Sequence, residues 1–292
     1  MACSRNTCVP GLTVLTTRGR WTRVSDMSKG IVLVTGASAG IGGASAQRLA
    51  QSGWTVIGAS RRGTSSGQWR GLTMDVDDDT SVEQGIASVL SEHGRIDALV
   101  TCAGWGVAGA AEQTSTNDAK AQLETNFWGT VRCVHDVLPT MRQQGGGRIV
   151  MIGSIGGVIG LPYQSFYSAS KFALEGYAEA LAYEVGPFDV QVTIVEPGNF
   201  KTDFTQERRM VPTPLDDPYA KARDRAISKM EHDEINGADP KGVAETVERV
   251  LTTSRAPRRV SVGKFDERFG LLAKRILPYR FFEKSARASL GV

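Results

Sequence analysis

Short apolar segments alternate with longer helix-prone segments along most of the chain, beginning at Lys29. The apolar segments are too short for helices and are rich in β-branched residues, which predicts strands. Strands that alternate with helices form βαβ units, so we expect a doubly wound parallel sheet of about seven strands with helices on both faces. The predicted strands are Ile31–Thr35, Thr55–Ala59, Leu72–Met74, Ala98–Thr101, Arg148–Ile152, Val190–Val195 and Arg259–Val262. The predicted helices are Ala44–Gln51, Ser81–Glu92, Asn117–Arg142, Ser165–Val185 and Lys241–Thr252.

Two segments depart from this alternation. The first, about residues 200–236, is charged and helix-prone, and we interpret it as a helical lid over the substrate within a single domain, 28–264. The second, residues 265–292, is basic and aromatic; it can pack on the domain or on a partner subunit, or contact a membrane interface. Residues 1–27 form an N-terminal extension that resembles an organelle transit peptide. We favour the alternative, that these residues are a non-native or misassigned start and that the functional chain begins near Met27.

Charge and cysteine content exclude several classes of protein. The 34 basic and 31 acidic residues are too balanced to indicate nucleic-acid binding. No stretch reaches the ~18 apolar residues that span a bilayer. The four cysteines, Cys3, Cys8, Cys102 and Cys133, lack metal-ligand spacing, so we expect no metal and a reducing, cytoplasmic location.

A glycine-rich turn joins the first predicted strand to the first predicted helix. In the sequence TGASAGIG, Gly36, Gly40 and Gly42 allow a tight turn and a close backbone approach, with Ser38 and Ile41 between them. The N–H groups at the start of the following helix can bind a pyrophosphate. A strand before the turn and a helix after it are the context that favours a dinucleotide site.

Two arginines end the second predicted strand, where an acid would bind the ribose hydroxyl of NAD. Arg61 and Arg62 stand there instead, and no acidic residue lies between Gly53 and Arg70. An arginine accommodates the 2′-phosphate of NADP. We therefore predict a preference for NADP(H) over NAD(H).

Tyr167 and Lys171 lie four residues apart and so share one face of a predicted helix. A nearby ammonium favours the phenolate form and lowers the pKa of a tyrosine. Tyr–Lys pairs at this spacing are also common on solvated helices, but two other residues favour a catalytic site. Ser154 follows the fifth strand, and Asn126 stands inside a predicted helix, where asparagine has low propensity.

Together these motifs resemble the short-chain dehydrogenase/reductase family in order and spacing, over most of Ile31–Thr202. The resemblance implies a Rossmann-type fold. It also implies that Tyr167 is the general acid and base, that Lys171 binds the nicotinamide ribose and lowers the pKa of Tyr167, that Ser154 polarises the carbonyl, and that Asn126 holds a water that links Lys171 to solvent. The cofactor contacts that it implies in addition are Asp75, Val76, Ala103, Gly104, Pro197, Gly198 and Thr202. Cys102 stands where the family usually has asparagine.

Four stretches resemble the 17β-hydroxysteroid and retinol dehydrogenases of the family: Gly153–Gly157, Gly160–Pro162, Ala169–Gly176, and Pro197-Gly198 with Lys201-Thr202. They imply an apolar alcohol, ketone or aldehyde substrate, with Leu161, Tyr163, Phe200 and Met230 as the pocket wall. The alternatives are a 3-ketoacyl thioester reductase, a non-catalytic NADP-sensing protein and a sugar-nucleotide epimerase. The resemblance also implies a homodimer or homotetramer, with helices Asn117–Arg142 and Ser165–Val185 at the interface.

Overall fold

The computed structural model describes residues 29–292 in full and the backbone of two short strands before them. These strands, β1 (Thr13–Leu15) and β2 (Trp21–Arg23), pair in an antiparallel fashion. The rest of the predicted N-terminal extension, with Cys3 and Cys8, lies outside the described residues.

Seven parallel strands form the main sheet, as predicted. Their spatial order is β11-β9-β8-β6-β3-β4-β5. The strands are β3 (Ile31–Thr35), β4 (Thr55–Ser60), β5 (Arg70–Thr73), β6 (Ala98–Thr101), β8 (Gly147–Ile152), β9 (Val190–Pro197) and β11 (Arg259–Val262). A separate parallel pair joins β7 (Val107–Ala108) to β10 (Arg209–Met210).

Helices cover both faces of this sheet. They are α1 (Gly40–Gln51), α2 (Asp79–His93), α3 (Thr116–Leu123), α4 (Gly129–Gln143), α5 (Ser165–Val185), α6 (Ala220–Ile235), α7 (Lys241–Thr252), α8 (Phe265–Ile276) and α9 (Tyr279–Leu290). Side chains alternate between the two faces along each strand. On β3, Leu33 packs on the side of α2, α4 and α5, whereas Val32 and Val34 pack on the side of α1 and α7.

The sheet order places a topological switch point at β3. Chain connections run outward from β3 to β4 on one side and return to β6 on the other. Ligands bind in the crevice beyond the carboxyl ends of the strands at such a point. The predicted glycine turn and Ser154 follow the carboxyl ends of β3 and β8, so both lie at this edge.

Two predicted helices have different bounds in the structure. Helix α1 begins at Gly40, four residues before its predicted start, because the glycine turn continues directly into the helix. The predicted helix Asn117–Arg142 is wrong as one regular helix: Ser115 caps it, and the five-residue π-helical segment Glu124–Trp128 separates α3 from α4. Asn126 stands inside this segment, and such π-bulges are frequent at functional sites.

The two non-alternating segments are both helical. The predicted lid, 200–236, contains β10 and α6, and β10 ties it to β7 on the main domain. The tail, 265–292, forms α8 and α9.

We expect the buried core to stabilise the sheet, and replacement of Leu33 tests this expectation. Its side chain is fully buried in the central strand, so Leu33→Ala should reduce the free energy of unfolding by about 2–5 kcal/mol. Leu215→Ala is the matched control, because that side chain is fully exposed and its loss should change the value by less than about 0.5 kcal/mol. Urea denaturation of both variants measures the difference, and equal effects would contradict the core described above.

Candidate active site

The glycine turn has the close packing that a dinucleotide cradle requires. Gly36 and Gly40 have φ angles of +65° and +53°. A Cβ on Gly42 would lie 2.2 Å from the carbonyl oxygen of Gly36, so only glycine fits there. Ala39 precedes α1 without a side-chain cap, which leaves the first N–H groups of the helix available to an anion.

Other predicted cofactor residues surround this turn. The Thr35 hydroxyl accepts hydrogen bonds from the N–H groups of Cys102 and Ala103, at 3.1 and 3.2 Å, and so ties the end of β6 to the end of β3. Thr202 comes from the far side: its Cβ lies 3.6 Å from where a Cβ on Gly40 would be.

The remaining predicted cofactor residues lie along the same edge. Ser38 and Ile41 belong to the glycine turn, Asp75 and Val76 follow β5, and Pro197 and Gly198 end β9. Arg61 and Arg62 are exposed in the turn after β4, and neither forms an ion pair with another of the described residues. Their guanidinium groups are therefore available to a phosphate.

Ser154, Tyr167 and Leu161 converge on Gly156. A Cβ at Gly156 would lie 2.9 Å from Leu161 Cδ1, 3.2 Å from Tyr167 Cε1 and 3.3 Å from Ser154 Oγ. Ser154 also accepts a hydrogen bond from the Gly156 N–H at 3.0 Å. The two hydroxyl-bearing residues thus lie together beside an apolar side chain, as predicted.

Lys171 and Asn126 meet on the other side of Tyr167. The Lys171 ammonium donates to the carbonyl oxygen of Ile152 at 2.8 Å and lies 5.9 Å from the centroid of the Tyr167 ring. A Cβ at Gly104 would lie 3.1 Å from Asn126 Oδ1 and 3.9 Å from Lys171 Nζ, so this glycine keeps the space between them open.

The Asn126 amide anchors its surroundings. Its Oδ1 accepts from the Trp105 N–H at 3.0 Å, and its Nδ2 donates to the Trp105 carbonyl and to Ser170 Oγ, both at 3.1 Å. The π-helical segment therefore holds the strand-end loop after β6 against α5.

The pKa values of this site follow mainly from burial. Burial raises the pKa of Tyr167 more than its hydrogen bond with Ser154 lowers it. Lys171 is not among the causes of this shift, and its ammonium donates to the carbonyl oxygen of Ile152. The lowering of the Tyr167 pKa by Lys171 therefore stays a prediction. Burial lowers the pKa of Lys171 to about 8. Burial also raises the pKa of the Cys102 thiol to about 12, so it stays protonated at neutral pH.

An ionic cluster of two buried carboxylates and the half-exposed Arg259 lies near Lys171, and the sequence did not indicate it. Arg259 Nη2 lies 2.7 Å from Glu175 Oε2, and Arg259 Nε lies 2.8 Å from Glu196 Oε1. Burial, and then repulsion from Glu196, raise the pKa of Glu175 to about 7. The available signal was spacing: Glu175 follows Lys171 by four residues, hence on the same face of α5.

The structure changes the predicted substrate wall. Leu161 lies beside Tyr167, as their shared approach to Gly156 shows. Tyr163 adopts a strained φ of +60°. Met230 Sδ lies 2.7 Å from the side-chain nitrogen of Gln164, just before α5. Phe200 is wrong as a substrate contact, because it is buried in the core against α7. Phe204 lies nearer to the site: its ring is edge-on to that of Tyr167, with centroids 5.6 Å apart.

Arg208 is a second residue that the sequence did not indicate. Its side chain is 1% exposed, and Nη2 pairs with Glu234, but Nε and Nη1 have no hydrogen-bond partner among the described residues. Its guanidinium carbon lies 5.8 Å from the Phe204 ring centroid. Because Arg208 belongs to an irregular loop, no periodicity marked it.

The family model for short chain dehydrogenases matches residues 30–211, which contain the glycine turn, Asn126, Ser154, Tyr167 and Lys171. The chain belongs to the short-chain dehydrogenase family. It is therefore an oxidoreductase of that family, as its motifs implied.

Relatives of this short-chain dehydrogenase match along most of their length. The 3-ketodihydrosphingosine reductase of Bacteroides thetaiotaomicron is 40% identical over 89% of this chain and 98% of its own. Human 17-beta-hydroxysteroid dehydrogenase type 1 is 36% identical over 62% of this chain and 60% of its own. A solved short-chain dehydrogenase from Streptomyces avermitilis, 33% identical, superposes with a TM-score of 0.77 over 90% of this chain and 98% of its own.

The negative charge of Glu175 raises the pKa of the Lys171 ammonium. A variant with a neutral side chain at position 175 tests this coupling. Glu175→Gln removes a negative charge that raises the pKa of Lys171, so this pKa should fall below its value of about 8. NMR titration of ¹³C-labelled lysine side chains measures the shift. The control is Glu179→Gln, one turn further along α5 and exposed, which should leave the pKa unchanged. An unchanged or raised pKa in Glu175→Gln would refute the coupling.

Proposed function

We propose that this short-chain dehydrogenase is an NADP(H)-dependent ketoreductase that reduces a long-chain ketone, with Tyr167 as the proton donor. The observation that carries the proposal is the convergence of Tyr167, Ser154 and Leu161 on Gly156, next to the glycine turn. This arrangement offers two polar hydrogens to one carbonyl oxygen, beside an apolar side chain.

Tyr167 supplies the proton in the proposed reduction. Because its pKa is raised, the phenol stays protonated at neutral pH and can donate its proton to the developing alkoxide. The Ser154 hydroxyl, hydrogen-bonded to Tyr167, holds and polarises the same oxygen. The nicotinamide supplies the hydride when the cofactor is bound.

Lys171 and Asn126 support this step in the proposal. The buried ammonium lies on the same side of α5 as Tyr167, so it stabilises negative charge that develops on the phenol after proton transfer. Lys171 also binds the nicotinamide ribose, and Asn126 holds the water that links the ammonium to solvent. These last roles rest on the resemblance to the family.

Arg61 and Arg62 support NADP(H) as the cofactor. They are exposed at the end of β4, where the 2′ position of the adenosine ribose lies in this type of site. The first turn of α1 would hold the pyrophosphate. Thr202, Pro197 and Gly198 would lie against the nicotinamide.

The relative from Bacteroides thetaiotaomicron supports 3-ketodihydrosphingosine, a long-chain amino ketone, as the substrate. Arg208 supports a substrate with a polar group next to its carbonyl. Two of its buried nitrogens lack hydrogen-bond partners, and leaving such donors unpaired costs about 1–3 kcal/mol. An oxygen of the substrate placed between Phe204 and Glu234 would satisfy them.

A second candidate substrate is a ketosteroid, and the human hydroxysteroid dehydrogenase favours it. The match to that enzyme covers a smaller part of both chains, so we rank the sphingoid ketone first. Acetoacetyl thioesters and retinal complete the panel that separates these substrates.

Replacement of Tyr167 by phenylalanine tests the proposed reaction. Tyr167→Phe removes only the acidic hydroxyl, so turnover of 3-ketodihydrosphingosine with NADPH should fall about 10²–10⁴-fold, while NADPH binding persists. Tyr177→Phe, on the same helix, is the matched control and should keep full activity, because its ring packs against Phe127 rather than in the site. Initial rates and NADPH fluorescence measure the two properties. Near-normal turnover in Tyr167→Phe would rule out this mechanism.

Loss of both arginines tests the cofactor preference. Arg61→Ala with Arg62→Ala removes the proposed phosphate contacts, so KM for NADPH should rise about 10- to 100-fold while KM for NADH changes little. Arg70→Ala is the control, because that exposed arginine pairs with Glu92 instead. Steady-state kinetics give KM for both cofactors. An equal rise in KM for NADH would contradict the proposed preference for NADP(H).

A further inference from the structure

Helix α8 carries its apolar residues outward. Phe265, Phe269, Leu272 and Ile276 recur at positions i, i+4, i+7 and i+11, which places them on one narrow stripe of the helix. They are 83%, 57%, 50% and 68% exposed. An amphipathic helix of a globular domain normally buries such a stripe, so this one lacks a partner among residues 29–292.

The stripe continues beyond α8 into α9. Leu277, Tyr279 and Phe281 are also exposed, which adds two aromatic rings to the same end of the molecule. We call α8 and α9 together the C-terminal hairpin. Its exposed apolar residues form a patch of the kind that marks an interaction site.

Specific contacts hold the opposite side of the hairpin against the domain. Glu267 Oε1 accepts hydrogen bonds from the backbone N–H and the side-chain amide of Asn199, at 3.0 and 2.8 Å. Lys274 donates to the Val158 carbonyl and lies 5.1 Å from the centroid of the Phe172 ring. The outward direction of the stripe is therefore fixed by polar anchors.

The charge of the hairpin indicates which partner it fits. Residues 264–292 carry seven basic and three acidic side chains, whereas the whole chain carries a net charge of only +3. Arg268 and Arg275 follow Phe265 and Leu272 by three positions, so they border the apolar stripe on one side. Glu267, one of the three acids, points inward to Asn199.

From this pattern we propose that the C-terminal hairpin docks on an anionic lipid bilayer. Aromatic and aliphatic side chains that insert at the headgroup boundary, with basic residues beside them, are the features of an interfacial helix. Each basic residue near an anionic surface contributes about 1 kcal/mol of attraction. A second copy of the hairpin fits less well, because two such basic faces would repel each other.

The docked hairpin lies on the surface rather than across it. Within residues 29–292, no helix combines the length and hydropathy needed to cross a membrane. Helix α8 also lies beside the active site: Glu267 contacts the segment after β9, and a Cβ on Gly270 would lie 3.6 Å from Ile159 Cδ1. Docking would therefore bring the mouth of the site to the bilayer, from which an apolar ketone can enter directly.

Vesicle sedimentation with the full chain tests the proposal. The protein should sediment with vesicles of phosphatidylcholine and phosphatidylglycerol, bind vesicles of phosphatidylcholine alone much more weakly, and dissociate from the anionic vesicles as salt rises. Recovery of the protein in the supernatant with both vesicle types would overturn the proposal.

Two variants and a control assign the binding to the hairpin. Phe265→Ser with Phe269→Ser should lower vesicle partitioning about tenfold or more, because two inserted rings are lost. Arg268→Gln with Arg275→Gln should weaken binding to anionic vesicles and reduce its salt dependence. Phe188→Ser removes another exposed ring, from the turn before β9 at the opposite edge of the sheet, and should leave binding unchanged.

Two further outcomes would contradict the assignment. An equal loss of binding in Phe188→Ser would show that the hairpin is not the docking surface. If the double phenylalanine variant keeps vesicle binding but forms a smaller species in analytical ultracentrifugation, the stripe is a subunit interface. Circular dichroism checks the fold of each variant, and because the substituted side chains are exposed, little change is expected.

Discussion

The parallel arrangement of the seven strands is the constraint on which the site depends. All strands run in one direction, so their carboxyl ends, and every loop that follows them, meet at one edge. This brings together residues that lie far apart in the chain, from Gly36 to Gly198. The Thr35 hydroxyl fixes the centre of that edge, because it binds the backbone of the loop after β6 from the end of β3.

Burial gives the site its electrostatic character. Helix α5 presents Tyr167, Lys171 and Glu175 to the sheet at successive turns, and each lies where water is largely excluded. Burial disfavours the charged form of each group, which raises the pKa of Tyr167 and Glu175 and lowers that of Lys171. Arg259 offsets part of this cost by binding Glu175 from the neighbouring strand.

The lid and the C-terminal hairpin surround the site with different chemistry. The lid brings Phe204 and the buried Arg208 next to Tyr167, which suits a substrate that is apolar but carries a polar group. The hairpin turns aromatic and basic residues toward solvent at the same end of the molecule. Both features accord with the proposed lipid-like substrate and the proposed docking of the hairpin on a bilayer surface.

The sequence by itself determined the sheet, its approximate strand bounds and the motif residues Gly36, Gly42, Ser154, Tyr167 and Lys171. These follow from local patterns: β-branched runs, a glycine turn between strand and helix, and the four-residue repeat of a helix face. Only the tertiary structure decided the ends of helices and the long-range partners. The Asn126 amide in the π-helical segment binds Trp105, and Phe200 packs in the core with side chains of α7. Three further features likewise depend on what packs nearby: the pairing of Glu175 with Arg259, the two Arg208 nitrogens that lack hydrogen-bond partners within the described part of the chain, and the outward stripe of α8. No local pattern encodes such contacts, because burial and charge pairing depend on residues distant in the chain.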